Sequence, residues 1–598
     1  MKYTVSYFNT LFKKSQYLRY YWFVIRKLCD YGGILPFLGI LISICRVLTD
    51  IFLTYVTAIF LSSFVYTIKE NAIEYTNWYD WFLNKTVLYA LLILFVWIVT
   101  RSLNYLENIV DNKFFEERFV HFNEELTKKF SKFNLQDIEV YPVYDMITKA
   151  RSFWYGKFQQ FYLELKSLFS SAVGVFSIGV IISSYNYKYT LIVLSSVVFP
   201  IFANFLLTNK HKRMVDRTTP IRTRRDYTLE IILSNRNVAE KKVDMLFGKL
   251  LRRFSKDNKY LKEENIEYGF VSAFWYYFSD VISFLTVSVL RVLVVINILK
   301  AKIDLSFGLS LFNYLSLFWS NVFIFTEDIG DLILIGQYLS YYYNYITIPT
   351  MHEISKGKKG LPNDISVLSV RNLSFSYPKT NKKIIYNLDF DIRLGERILI
   401  LGKDGSGKSS IAKILTGLFK IEAGDVHIDG ISIKDVRPGV WKKKFSVVFD
   451  DFGRFFYTVK ECILLGDERV KFNKTRYEKA LEVTELDKLF SDGVLNENQI
   501  LGSMFEGGLD IPSGFWQRIA IARAIYRDRT IQIFDEAFSV IDSVTTRRIM
   551  NNLVKYWKDK IVLMIDEDDS LVGFFDNVFV LNNGKLTEFD NSGTMGSW

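Results

Sequence analysis

The stretch Leu399-Ile400-Leu401-Gly402-Lys403-Asp404-Gly405-Ser406-Gly407-Lys408-Ser409-Ser410 runs an apolar segment into a glycine-rich turn, a lysine and two hydroxyls. The pattern predicts a phosphate-binding loop between a buried strand and a helix. Gly402, Gly405 and Gly407 let the backbone N–H groups of the turn, those of Lys403, Asp404 and Ser406 among them, curl around the α- and β-phosphates. Lys408 reaches the β- and γ-phosphates, Ser409 offers an oxygen to Mg2+, and Ser410 continues the helix. The flanks agree: Glu396-Arg397-Ile398-Leu399-Ile400-Leu401 has the composition of a strand, and Ser410-Ile411-Ala412-Lys413-Ile414-Leu415 has helical spacing. A nucleotide is the expected ligand.

The chain has 598 residues, too many for one hydrophobic core, so at least two domains are expected. Apolar residues make up 50% of it, and they gather in long runs before about residue 340, with ordinary globular patterning after about 367. Three cysteines, Cys29, Cys45 and Cys462, share no metal-ligand spacing and suggest no disulfide framework. A net charge of +11 points first to nucleic acid, but Lys and Arg crowd beside the apolar runs. Anionic lipid headgroups are the simpler partner there, and no nucleic-acid partner is expected. Lys13, Lys14, Arg19, Arg26 and Lys27 precede apolar sequence without a short core and a small-residue cleavage site. Residues 1–33 therefore read as a retained cytoplasmic segment and not as a signal peptide.

Six apolar stretches, near 34–66, 86–108, 168–185, 189–208, 270–298 and 305–326, approach or exceed the ~20 residues a bilayer-crossing helix needs. Long polar connections separate the second from the third and the fourth from the fifth. Lys210, Lys212, Arg213, Arg217, Arg222, Arg224 and Arg225 crowd the start of the second of these, which places it in the cytoplasm. The loop near 68–85 mixes Lys69 and Lys85 with Glu70, Glu74 and Asp80, as an external loop does. Both termini are then cytoplasmic. The expected organisation is a cytoplasmic segment 1–33, a six-span membrane domain 34–340, a linker 341–366 and an α/β nucleotide domain 367–598. Each half occurs once, so a two-fold machine requires a second chain.

Six spans followed by such a domain resemble a half-transporter of the ABC exporter superfamily, along essentially the whole chain. The resemblance implies an all-α six-helix transmembrane domain of the type I exporter kind, an α/β P-loop nucleotide-binding domain, and ATP and Mg2+ as cofactors. It places the adenine-stacking aromatic at Tyr377, in Phe375-Ser376-Tyr377-Pro378. In Thr530-Ile531-Gln532-Ile533-Phe534-Asp535-Glu536 it implies that Asp535 holds Mg2+ through water and that Glu536 polarises the attacking water. Ser539-Val540-Ile541-Asp542 is similar to the loop through which two nucleotide domains touch.

Three positions depart from the family pattern. The signature that closes over the other subunit's ATP reads Ile511-Pro512-Ser513-Gly514-Phe515, ahead of a well-matched Trp516-Gln517-Arg518-Ile519-Ala520-Ile521-Ala522-Arg523-Ala524. Pro512 starts a helix well and the helix dipole still favours phosphate, so Ser513 and Gly514 are the candidate contacts. The glutamine that ligates Mg2+ is replaced by Asp450, whose carboxylate can take the metal. The histidine switch is replaced by Asp566, and all four histidines lie upstream of Asp535. Two unit charges at ~4 Å interact by about 1 kcal/mol in water and about 4 kcal/mol at an effective dielectric of 20, so an ionised Asp566 facing the γ-phosphate opposes closure. Slow hydrolysis is expected.

In the membrane half, Asp137-Ile138-Glu139-Val140-Tyr141-Pro142-Val143-Tyr144-Asp145 resembles the first intracellular loop of bacterial peptide and bacteriocin exporters, and Gly507-Gly508-Leu509-Asp510 and Trp516 fit the same branch. The stretch before residue 34 is too short for the papain-like protease some of these exporters carry, so leader cleavage is not expected of this chain. Coupling helices are expected near 137–150 and 230–246. Arg46, Asp50, Asp280, Arg291, Glu327, Asp328 and Asp331 lie in or near the spans, where charge costs at least ~2.5–3.5 kcal/mol at mid-depth. These charges should face the cavity or pair with one another: Arg46 and Asp50, one helical turn apart, are placed to neutralise each other, and substrate contact is the other reading. The sequence thus reads as an ATP-driven exporter subunit of a prokaryotic plasma membrane, moving a peptide or other amphipathic substrate, better suited to a heterodimer than to a homodimer. The alternative is an ATP-binding membrane protein that gates or regulates without sustained pumping.

Overall fold

A computed structural model describes residues 19–30, 33–69, 85–138, 146–147, 149–150, 156–234, 238–300, 302–350, 357, 359–377, 383–467 and 471–589. The chain divides into two compact units, Met1–Lys128 with Asp145–Thr347, and Lys129–Tyr144 with Ile348–Trp598.

The first unit is helical. A helix at 19–30 (α1) is followed by α2 (Leu35–Lys69), α3 (Lys85–Phe130), the short α4 (Leu135–Ile138) that belongs to the second unit, α5 (Phe158–Leu233), α6 (Val238–Val243), α7 (Leu246–Leu299) and α8 (Leu305–Thr347). Among the described residues, α2, α3, α5, α7 and α8 are long and apolar enough to cross a membrane. The third and fourth apolar stretches share α5, whose backbone leaves the helical region at Asn186 (φ −156°, ψ 109°). The chain bends sharply there. The Ser183 and Thr190 hydroxyls lie 2.8 Å apart, whereas seven residues of unbroken helix rise about 10 Å. The Asn186 side chain accepts the Lys188 amide at 3.0 Å, and Asn297 of α7 donates to the Tyr189 hydroxyl at 3.0 Å.

Charges inside this unit are paired between helices. Lys166 of α5 lies 2.7 Å from Glu107 and 2.5 Å from Asp111, both on α3, and Arg46 of α2 lies 3.1 Å from Glu107. The Tyr162 hydroxyl donates to Asp111 at 3.2 Å. Arg46 makes its direct ion pair with Glu107, a buried carboxylate that loses its hydration and requires a cation, while its charge also acts on Asp50. Arg291 donates to the Ser316 hydroxyl and lies over the Phe312 ring, and Asp328 accepts from Ser171 at 3.4 Å.

The second unit is α/β. Its order is β1 (Val367–Ser376), β2 (Lys383–Arg393), β3 (Arg397–Leu401), α9 (Lys408–Leu415), β4 (Ala423–Ile428), β5 (Ile431–Ser432), α10 (Pro438–Lys442), β6 (Phe445–Val448), α11 (Val459–Leu464), α12 (Lys474–Thr484), α13 (Leu486–Ser491), α14 (Ser513–Arg527), β7 (Ile531–Asp535), α15 (Ser543–Tyr556), β8 (Ile561–Asp566), β9 (Asn577–Asn582) and β10 (Lys585–Glu588). Strands β2-β1-β4-β5 form an antiparallel sheet, and β10-β9-β3-β8-β7-β6 form a second sheet, parallel except for β10.

Successive strand residues point to opposite faces, so a central parallel strand feeds two cores. Ile398 and Ile400 of β3 join Ile561, Leu563 and Ile565 of β8 on one side, while Leu399 and Leu401 join Val562 and Met564 on the other. Helix α9 buries Ile411, Ala412, Ile414 and Leu415 in the first of these cores, and the Trp441 indole N–H donates to the Leu415 carbonyl at 2.8 Å, closing the far end of the helix. Leu135 of α4 packs on the same core, and the Gln136 side chain accepts the Lys420 amide at 3.1 Å. The expected coupling segment 137–150 begins just after these two residues, and 139–145 and 148 fall outside the described residues. Within 230–246, Lys241 of α6 donates to the Ile231 and Ser234 carbonyls at 2.7 and 2.6 Å, which caps the end of α5.

Lys166 serves two buried carboxylates, and removing one partner of a buried pair costs about 3–5 kcal/mol. Lys166→Met should lower the thermal midpoint of the detergent-solubilised chain by several degrees. Lys166→Met combined with Glu107→Gln and Asp111→Asn should recover part of the loss, as read by intrinsic fluorescence on heating.

Candidate nucleotide site

The site is assembled by strand register. Leu401 pairs with Asp566 across β3 and β8, and Asp535 pairs with Ile565 across β7 and β8. The loop 402–407, Asp535 and Asp566 therefore leave the sheet at one edge, beyond the carboxyl ends of parallel strands, where α/β proteins bind ligands.

Gly405 and Gly407 have φ of 79° and 103°. A Cβ on Gly407 would lie 2.8 Å from Ile384 Cγ2, whereas one on Gly405 would meet open space. Lys408, only 4% exposed, donates to the Gly402 carbonyl and to the Glu567 carboxylate, and lies 3.5 Å from Glu536 Oε1. The Ser409 hydroxyl donates to Asp535 Oδ1 at 3.2 Å. Ser410 Oγ lies 3.0 Å from the Tyr377 hydroxyl, and the Tyr377 ring stands edge-on to Phe375 and Phe419 at 5.4 and 5.7 Å. Lys403 and Asp404 are exposed, and Ser406 Oγ is buried without a hydrogen-bond partner. A cavity of about 720 Å³ opens beside the loop, lined in part by Gly402, Lys403, Asp404, Gly405, Ser406 and Glu567.

Carboxylates crowd this edge. Burial pushes Asp535 up to about 7 against the pull of the Ser409 hydroxyl, and the charges of Asp450 and Glu536 push it the same way. Asp535 Oδ2 is buried without a partner. Asp450 is exposed in the turn after β6 and reaches Asp535 through its charge. Glu536 has a left-handed backbone (φ 47°), its amide donates to the Ile565 carbonyl at 2.8 Å, and burial raises its pKa against the opposing Lys408.

Asp566 has one oxygen turned to the backbone and the other buried without a partner. It is 7% exposed, burial raises its pKa, and Oδ1 turns back to accept the Glu567 and Asp568 amides at 2.8 and 3.1 Å. Glu567 is the carboxylate that meets Lys408. Sequence reasoning missed it, since the two stand 159 positions apart and only adjacency to the switch position could have flagged it. Ser513 and Gly514 open α14 but are not among the groups gathered at the loop; Ser513 is exposed, and Gly514 lies against the Val540 carbonyl. A second residue missed is Gln517, one turn into α14, which donates to the Glu536 carbonyl and accepts the Val540 amide, each at 3.1 Å. Asp542, in the 539–542 loop, caps α15 by accepting the Thr545 amide at 2.9 Å.

Because the Gly407 Cβ would strike Ile384 and the Gly405 Cβ would not, Gly407→Ala should weaken Mg-ATP binding at least about tenfold and Gly405→Ala less. Equilibrium titration of the full chain in nanodiscs checks the order.

Residues 385–539 match the ABC transporter family model. The chain is 24% identical to the subtilin transport ATP-binding protein SpaT of Bacillus subtilis, over 78% of this chain and 75% of that one. It is 23% identical to the nisin transport ATP-binding protein NisT of Lactococcus lactis subsp. lactis, over 82% of each chain. An ATP-dependent lipid A-core flippase of Aliivibrio fischeri is 32% identical over 38% of each chain. The fold matches a bacterial Atm1-family ABC exporter solved with ATP bound, with a TM-score of 0.78 at 17% identity, over 94% of this chain and 95% of that one. Residues 385–539 thus match the ABC transporter family, and the chain as a whole has the fold of an ABC exporter, with helices long and apolar enough to cross a membrane.

Proposed function

We propose that this chain is one half of an ATP-driven exporter that moves a peptide or another amphipathic compound out across a prokaryotic plasma membrane. Both termini are cytoplasmic in this reading, and a second half-transporter completes the machine, a heterodimer being favoured. The observation that carries it is the Ser409–Asp535 pair. Asp535 is wholly buried, one oxygen is held by Ser409, and the other has no partner. A buried carboxylate left in that state costs free energy unless a cation satisfies it, and Mg2+ with its water shell fits the oxygen-only donor set of Ser409, Asp535 and Asp450. When bound, the ion would neutralise phosphate charge.

The remaining residues then take roles by position. The loop 402–407 cradles phosphates, Lys408 pairs with the terminal ones, Tyr377 stacks on the base, and Ser513 and Gly514 offer a helix N-terminus to a nucleotide held by the partner chain. Glu536 stands 3.5 Å from Lys408, within reach of a water at the γ-phosphate. Asp566 stands where a donor to that phosphate is needed, and losing one preorganised donor typically costs ~10²–10³ in turnover. Export of a peptide is supported by the likeness to proteins named for subtilin and nisin transport.

Reconstituted in vesicles, the chain alone should hydrolyse ATP slowly, Glu536→Gln should abolish the residue of activity, and Asp566→His should raise it about tenfold or more. Ordinary transporter rates with no gain from Asp566→His would refute the impaired-site reading. Tight ATP binding without substrate-stimulated turnover, even beside a partner chain, would favour gating over pumping.

A further inference from the structure

Lys408 is the one ammonium the phosphates require, and in this structure it is engaged. It curls back across its own loop to the Gly402 carbonyl and meets the carboxylate of Glu567, with Glu536 at 3.5 Å. The two partners differ in freedom. The Lys408 side chain is 3% exposed and fixed by the loop, while that of Glu567 is 46% exposed at the cavity mouth. The backbone on each side of Glu567 is held, because Asp566 Oδ1 accepts the amides of both Glu567 and Asp568. Glu567 is thus an exposed carboxylate on a hydrogen-bonded backbone, seated on the cation that a polyphosphate must reach.

We propose that Glu567 is an internal competitor for the phosphate site: it neutralises Lys408 in the nucleotide-free chain, and a di- or triphosphate binds by displacing it into solvent. This rests on the nucleotide reading of the loop given above. Three carboxylates, those of Asp404, Glu536 and Glu567, have oxygens within 4.8 Å of one another around the loop, so a fourth anionic group cannot settle there while Glu567 stays. Glu536 is half-buried and Asp404 is exposed; of the three, Glu567 is both exposed and hydrogen-bonded to Lys408, so it is the member a polyphosphate has to displace. The consequence is an apparent affinity lowered by the fraction of chains in which Lys408 is free, and discrimination by the number of phosphates, since a monophosphate does not contend for Lys408.

The test is equilibrium titration of the full chain in nanodiscs with AMP-PNP and with AMP, each with Mg2+, for wild type, Glu567→Gln and Asp569→Asn. Asp569 is an exposed carboxylate lining the same cavity and serves as the control for general charge. Glu567→Gln should tighten AMP-PNP about three- to tenfold, an exposed partner discounting the full strength of a charge-assisted bond. It should leave AMP unchanged, and Asp569→Asn should move either ligand less than about twofold. Equal gains from Glu567→Gln and Asp569→Asn, or a gain shared by AMP, would overturn the competitor and leave an ordinary field effect. No change in AMP-PNP affinity would overturn it while the nucleotide reading stands. Absence of AMP-PNP binding in all three chains would overturn the nucleotide reading and the competitor together.

Discussion

The parallel register that sets Leu401 opposite Asp566 and Asp535 opposite Ile565 forces three connections to leave the sheet side by side. Everything chemical in the second unit follows from that spacing. Each strand is buried on both faces, so it cannot slip by one residue without exchanging the two apolar layers that Ile398/Ile400 and Leu399/Leu401 feed. The register is therefore defended by the core, and the site inherits its precision from packing and not from its own polar contacts. Trp441 holds the far end of α9 in the same way, leaving the loop end as the part with backbone groups to offer.

With the groups so placed, the edge carries more negative charge than its fixed cations balance. Asp535 and Asp566 each keep one buried oxygen without a partner, and burial raises both toward the neutral form. Lys408 is the buried cation among them and is shared by Glu536 and Glu567. Such an edge is poorly satisfied on its own, which is the condition of a surface built to meet a cation and a polyanion together.

Much of this was legible in the sequence because it rests on local pattern. The strand–turn–helix of 399–415 and the strand ending in Asp535-Glu536 announce themselves through apolar runs that stop at glycine or carboxylate. The pairing of Lys408 with Glu567 and the hold of Gln517 on the Glu536 carbonyl were not legible, since each joins segments far apart in the chain through the sheet's register. The membrane half shows the same division. Apolar length gave the spans, but a run of composition does not say where a helix bends, so two stretches that read as separate lie on one helix broken at Asn186. The Arg46–Glu107 pair was likewise hidden, because sequence spacing offers only partners on the same helix, and Asp50 was the one in view.

The break at Asn186 also acts as a depth gauge. Leaving the helical region strands carbonyls and amides that hydrocarbon cannot solvate, so in a bilayer this point must sit where water reaches. The Tyr185, Tyr189 and Asn297 side chains around it, with the Ser183 and Thr190 hydroxyls, are the amphipathic and polar groups that headgroup layers accommodate. Both arms of α5 are consequently pinned at one interface, and any vertical sliding of either arm would drag that polar knot into oil; tilting about it is the motion the lipid permits.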